Sequence, residues 1–242
     1  MKRGTLYGIG VGPGDPDLIT LKGARVLATC PHVFAPKSKE DSQSLALRIA
    51  RPHIHSETRI HELLFPMTSD KDELEERWGS AAKEILDVLD AGQDACFLTL
   101  GDVFLYSTYI YLLRMLRQLQ PAVNVVTIPG ITAFSAAAAA AECPLGEGKE
   151  SVTIVPTADD LNEVTRAVHK GDAVVLMKIG KRLDRVLEVL ESEDATDRSV
   201  FVSKVGLKDE AVVRDLRLLR SPEADRGYLS VILVRGKKEE DS

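Results

Sequence analysis

Short apolar runs alternate along the chain with longer stretches in which apolar residues recur at helical spacing. That alternation is the pattern of an α/β architecture with largely parallel sheets. Strands are predicted near Thr5–Gly10, His32–Ala35, Ala95–Leu100, Val123–Ile128, Val152–Val155, Ala173–Met177, Ser199–Lys204 and Leu229–Val234. The clearest helix is Asp72–Ala91, where Leu74, Trp78, Ala82, Ile85 and Leu89 fall on one face and Gly92 supplies a stop. Thr132–Ala141 follows Pro129–Gly130 and is rich in alanine, the residue that costs least in a helix. Ser107–Leu119 and Arg182–Ser192 also read as helices.

A helix ends at Gln120 and a strand begins after Pro121, so a domain boundary is expected there. It divides the chain into an amino-terminal α/β domain, residues 1–120, and a carboxyl-terminal α/β domain, residues 121–242. Each half holds about four predicted strands, enough for a minimal sheet. The length of 242 residues and hydrophobic content of 44% suit one large domain or two small ones with a real core. Residues 145–151 read as a polar, glycine-containing loop, and the charged tail 237–242 is expected to fray.

Charge and cysteine usage exclude several classes. A net charge of −6 argues against nucleic acid as the main partner. No apolar run reaches membrane-spanning length, and Met1–Lys2–Arg3 leads into a strand pattern rather than an apolar leader. Cys30, Cys96 and Cys143 are odd in number, far apart and outside any CxxC, so neither a disulfide framework nor a thiolate zinc site is indicated. A cytoplasmic setting is expected.

The first strand runs into Gly8–Ile9–Gly10–Val11–Gly12–Pro13–Gly14–Asp15. Glycine at alternate places permits positive φ and close approach of another group. The spacing is not that of a dinucleotide-binding loop: from Gly8 the third glycine falls at Pro13, and from Gly10 at Asp15. It is not a P-loop either, since no Gly-Lys pair is followed by Ser or Thr with the required upstream glycine. Asp15 suits an N-cap and Pro16 the first helical position, a purely structural role that leaves the glycines free to meet a ligand. Three further strands end alike, at Gly101–Asp102–Val103, Pro129–Gly130–Ile131–Thr132–Ala133 and Met177–Lys178–Ile179–Gly180. Ligands of parallel α/β sheets bind at the carboxyl ends of strands.

Taken in order, these motifs resemble the tetrapyrrole methylases, S-adenosylmethionine-dependent enzymes of cobalamin and sirohaem synthesis. The family's G-x-G-P-G-D is met by Gly10–Asp15, its P-G-[IV]-[ST]-[AS] by Pro129–Ala133, and its G-D-P by Gly101–Asp102–Val103, with valine in place of proline. Leu105–Tyr106–Ser107–Thr108, Leu176–Met177–Lys178 and Val205–Glu210 are similar to the branch that methylates C20 of precorrin-2 or its cobalt form. The resemblance implies two α/β domains with the cofactor cleft between them, a homodimer, and methyl transfer to a tetrapyrrole.

By resemblance, the cofactor contacts fall on Pro13, Leu100, Gly101, Asp102, Val103, Thr132, Ala133, Met177 and Gly206, with Ser107 and Thr108 as additional candidates. Gly12, Gly14 and Lys178 are candidate substrate contacts. Asp102 is the one acidic group of the set able to accept hydrogen bonds from a ribose or an ammonium, though a loop role also suits it. Met177 also suits core packing, and Thr132 a helix cap. Lys178, Lys181, Arg182, Lys204 and Lys208 gather near strand ends and are candidates for a substrate rich in carboxylates. Arg51, His53 and His55 form another possible patch, and His53-x-His55 on one strand face invites a metal reading. With only His61 as a distant third ligand, no protein metal site is expected. The ring's meso carbon is itself electron-rich, so no strong protein nucleophile is needed, and no general base is identified. Alternatives within the fold are another corrin position, a protein substrate or RNA; outside it, a non-catalytic tetrapyrrole-binding module.

Overall fold

Among the described residues ten strands and seven α-helices emerge where the apolar pattern changes period. The computed structural model describes residues 2–39, 41–66, 70–156, 160–170, 172–220 and 227–237. The charged tail beyond Lys237, and Met1, lie outside the described residues. The chain divides into two compact units, Met1–Thr132 and Ala133–Ser242.

The first unit is a five-stranded parallel sheet. Its strands are β1 (Leu6–Gly10), β2 (His32–Lys37), β3 (Arg59–Leu64), β4 (Ala95–Thr99) and β5 (Val125–Ile128), in the order β3-β2-β4-β1-β5. Helices α1 (Leu21–Leu27) and α2 (Leu45–Ala50) cover one face, packing Leu27, Ile49 and Ala50 against Ile9, Val33, Leu98 and Ile128. Helices α3 (Lys71–Asp90) and α4 (Thr108–Leu119) cover the other, packing Ala82, Ile85, Leu89, Tyr109, Leu112 and Leu116 against Leu6, Phe34 and Phe97. Strands so enclosed must be apolar on both sides, and β4 is buried at every residue. Helix α3 starts where Asp70 accepts from the Asp72 and Glu73 amides, at 3.0 and 3.2 Å. It stops at Gly92, whose φ of +81° leaves the helical region.

From β1 the chain crosses through α1 toward β2; from β4 it crosses through α4, on the opposite face, toward β5. The adjacent pair β1 and β4 is therefore the point where the winding reverses, and in sheets wound this way the ligand crevice lies at the carboxyl ends of such a pair.

The second unit carries α5 (Ala133–Ala140), β6 (Val152–Pro156), α6 (Leu161–His169), β7 (Ala173–Met177), α7 (Leu183–Ser192), β8 (Ser199–Ser203), β9 (Ala211–Val213) and β10 (Ser230–Val234). The strand order is β6-β7-β10-β8-β9. Helices α6 and α7 bury Val164, Val168, Val186, Leu187 and Leu190 with Leu176, Phe201 and Ile232, while α5 lies against β8 and β10.

Two expectations change. The unit boundary falls after Thr132 rather than at Gln120–Pro121, because β5 pairs with β1 and so belongs to the first sheet. The second sheet is not largely parallel: β10 runs antiparallel to both β7 and β8, and β9 antiparallel to β8.

Candidate functional site

Three loops leave the carboxyl edge of the first sheet side by side: 11–15 after β1, 100–107 after β4 and 129–132 after β5. Their glycines hold them together. The Gly12 amide donates to the Gly101 carbonyl at 3.2 Å, and the Gly101 amide returns the bond to Gly12 at 2.8 Å. Both glycines have positive φ, +76° and +69°. A Cβ on Gly130 would lie 2.1 Å from the Gly101 carbonyl oxygen, and one on Gly10 would lie 2.5 Å from the Gly130 nitrogen. The three loops thus interlock through bare main chain. Much of the space that the sequence suggested for a ligand is filled by neighbouring backbone. Gly101 is different: apart from its own chain neighbours, a Cβ there would first meet the Ile131 carbonyl oxygen, at 3.9 Å. Gly101 is buried, yet room for a further atom remains beside its main chain.

Asp102 clamps the same loops. One carboxylate oxygen accepts the Phe104 amide at 2.8 Å and the other the Gly130 amide at 3.0 Å. A carboxylate has about four lone-pair sites, so capacity remains for a ligand donor. Ser107 donates to the Val103 carbonyl and stands at the N-cap of α4 without a side-chain capping bond; Thr108 begins the helix. Val103 is 1% exposed and packs with Phe97 and Tyr109. Its side chain belongs to the core, so where the family motif has proline this chain places a core residue. Leu100 is half-buried, while Gly12, Pro13 and Gly14 are buried. Asp15 caps a 3-10 turn over Pro16–Leu18, accepting the Asp17 amide at 2.9 Å, as its position predicts.

Two residues absent from the expected site stand on the β4 loop. Phe104 is 55% exposed, and Tyr106 is 41% exposed with φ +52°. Aromatic residues displayed at a strand's carboxyl end offer a flat ligand a stacking surface. Their signal in the sequence was present: an apolar pair spaced by one residue in a loop that opens with glycine.

The remaining expected residues lie at or beyond the unit boundary. Thr132 closes the first unit and Ala133 opens α5. In the second unit Met177 ends β7, half-buried, and Lys178 follows with φ +55°. Gly206 has φ +75° and donates its amide to a Glu210 carboxylate oxygen at 2.7 Å.

The histidines do not form a metal patch. His53 ends a 3-10 turn and shares a hydrogen bond with the Pro16 carbonyl at 3.0 Å, so His53 and His55 do not share a strand face. His61 lies between His32 and Glu84, at 3.0 and 2.8 Å. Among the described residues no group of three or more His, Cys, Asp or Glu is placed to hold a metal ion. Among them, too, no helix is long and apolar enough to cross a membrane. Cys30 and Cys96 are buried in the core beneath α1 and α2. Contact with the Cys96 thiol holds Cys30 below the usual thiol range, and the same contact, with burial, pushes Cys96 well above it.

The fold is one that known proteins share. The family of tetrapyrrole (corrin/porphyrin) methylases matches residues 5–217, and the chain belongs to that family. It is 32% identical over 237 residues to a cobalt-precorrin-2 C(20)-methyltransferase of Salmonella typhimurium, covering 98% of both chains. It is 35% identical over 209 residues to a probable cobalt-precorrin-2 C(20)-methyltransferase of Methanocaldococcus jannaschii, covering 86% of each. Among solved structures, a cobalt precorrin-4 methyltransferase superposes with a TM-score of 0.75 at 22% identity, over 96% of this chain and 94% of that one. A uroporphyrin-III C-methyltransferase of Thermus thermophilus, complexed with S-adenosyl homocysteine, superposes with a TM-score of 0.65 at 19% identity, over 96% and 97%.

Proposed function

We propose that this protein transfers a methyl group from S-adenosylmethionine to C20 of a precorrin-2-type ring in cobalamin biosynthesis, with the cobalt-loaded ring as the favoured substrate. The observation that carries the reading is the set of interlocked glycine loops at the β1–β4 reversal, in a chain whose relatives at 32% and 35% identity bear that activity in their names. The cofactor's contribution is an electrophilic methyl group on a sulfonium.

The residues present fit such a ligand. Gly101 and Leu100 offer main chain, with room for a further atom beside Gly101, and Asp102 retains acceptor capacity next to it. Pro13, Ser107, Thr108, Thr132 and Ala133 complete the proposed cofactor contacts of the three loops, with Val103 through its main chain. Gly12 and Gly14 are proposed substrate contacts of the loop floor, and Phe104 and Tyr106 supply a surface for a flat ring. Met177 and Gly206 are proposed cofactor contacts in the second unit, and Lys178 is a proposed substrate contact there. The ring carbon is the nucleophile, so the protein's task is orientation, which alone supplies a large part of such rate enhancements. The chain is further proposed to act as a cytoplasmic homodimer, in line with its family resemblance.

The test is an assay of the purified protein with S-adenosylmethionine and, side by side, metal-free and cobalt-loaded precorrin-2. Mass spectrometry should show a single methyl gain, greater for the cobalt form, and sedimentation should give the dimer mass. Absence of methyl gain on either ring overturns the reading.

A further inference from the structure

Three strands of the second sheet meet one edge through left-handed backbone. Met177 pairs with Val231 and Ser203 with Ser230, so the ends of β7 and β8 flank the start of β10. The residues just beyond are Lys178 with φ +55°, Lys204 with φ +52° and Leu229 with φ +51°. Among the described residues these are three of six non-glycine positions with positive φ. Such backbone is unfavourable for a residue with a Cβ and persists only where the surroundings impose it; it concentrates at functional sites. The Lys204 amide donates to the Leu229 carbonyl at 2.8 Å, tying two of the three together.

The Lys204 side chain is also held. Its ammonium pairs with the Asp209 carboxylate on the same loop, with the two side chains 37% and 62% exposed. The Gly206 amide binds Glu210 at 2.7 Å, which folds residues 204–210 back on themselves. Lys208 is exposed on this loop, and Tyr228, 51% exposed, precedes Leu229. A half-exposed ion pair is weak and readily exchanged.

We infer that Lys178 and Lys204 form a paired anchor for two carboxylates of the substrate, and that Asp209 is an internal stand-in which the substrate displaces from Lys204. This rests on the proposed tetrapyrrole substrate and names the groups that select it. An acidic protein needs a local cationic edge to receive a polycarboxylate, and charge-assisted hydrogen bonds supply both affinity and register. The strained backbone holds the two lysines at strand ends on either side of β10. The exchange of Asp209 for a substrate carboxylate conserves charge pairing in both states.

The test measures KM and direct binding for the cobalt-loaded ring, with S-adenosylmethionine affinity by calorimetry, in the full-length wild type, Lys204→Met, Lys204→Arg, Lys178→Met and Asp209→Asn. Lys204→Met and Lys178→Met are expected to weaken ring binding about tenfold with cofactor affinity unchanged. Lys204→Arg is expected to restore most of the loss, which separates charge from folding. Asp209→Asn is expected to tighten ring binding, since the competitor is gone. Unchanged ring affinity in Lys204→Met, or weakened affinity in Asp209→Asn, overturns the inference while wild-type methylation leaves the function intact. A wild type that binds the cofactor but not the ring overturns both.

Discussion

A methyl group on Gly130 would strike the Gly101 carbonyl oxygen, so the smallest possible substitution there forces two loops apart. Gly130→Ala is expected to lower stability by about 1–3 kcal/mol, as overpacking does, and to shift the urea midpoint accordingly. Asp102 is the second residue with a sharp expectation. Asp102→Asn keeps the shape but turns an amide nitrogen toward one of the two backbone N–H groups. The change is expected to cost about 1–2 kcal/mol in denaturation and to weaken S-adenosylmethionine in calorimetry. At this scale some motif residues were legible: Asp15 caps its turn, and Gly12 and Gly101 sit at positive φ. The contact of Gly10, Gly12, Gly101 and Gly130 was not legible, because it joins distant stretches through atoms that every residue shares. Val103 was read as a loop residue, and only its burial reveals that its side chain serves the core.

Helix α4 shows how one element ties the core to the crevice. Tyr109, fully buried, donates or accepts a hydrogen bond with Thr127 on β5 at 3.0 Å and touches the rings of Phe97 and Phe104. Gly8 on β1 makes room for it, since a Cβ there would come within 2.3 Å of the Tyr109 ring. Burial raises the Tyr109 phenol above its ordinary value near 10, with the Thr127 bond opposing. The folded chain thus holds that proton more tightly than the unfolded one. Its stabilising effect is fully present below about pH 10 and falls away as pH rises beyond. Tyr109→Phe is expected to lose about 1 kcal/mol at neutral pH with the hydrogen bond, and to show a flatter decline of stability in alkali. Denaturant midpoints across the alkaline range measure both. The four predicted helices and eight predicted strands reappear within a residue or two, because their apolar periods are strong. Strand β3, Arg-Ile-His-Glu-Leu-Leu, mixes charge with apolar residues at the sheet edge, and β9 spans only Ala211–Val213. Neither presents a period long enough to read. The direction of β10 was equally hidden, since a buried strand has the same composition whichever way it runs.

The first unit runs to Thr132 because β5 pairs with β1, which a local reading of Pro121 cannot register. If the crevice binds the proposed cofactor, binding must show in global stability. At a hundredfold excess over Kd, S-adenosylhomocysteine is expected to add about 2.7 kcal/mol, which for a chain of this size raises Tm by roughly 5–10 °C. A thermal scan with and without the compound decides it. The main-chain bridge between Gly12 and Gly101 has a further consequence, for inheritance. A contact made of side chains can be repaired by a compensating change in the partner. A contact made of backbone has no partner side chain to change. A suppressor screen against Gly130→Ala should therefore return reversion to glycine and stabilising changes elsewhere in the fold, but no second substitution within the three loops. Lineages that carry these glycines are held to them jointly, whatever ring their descendants come to methylate.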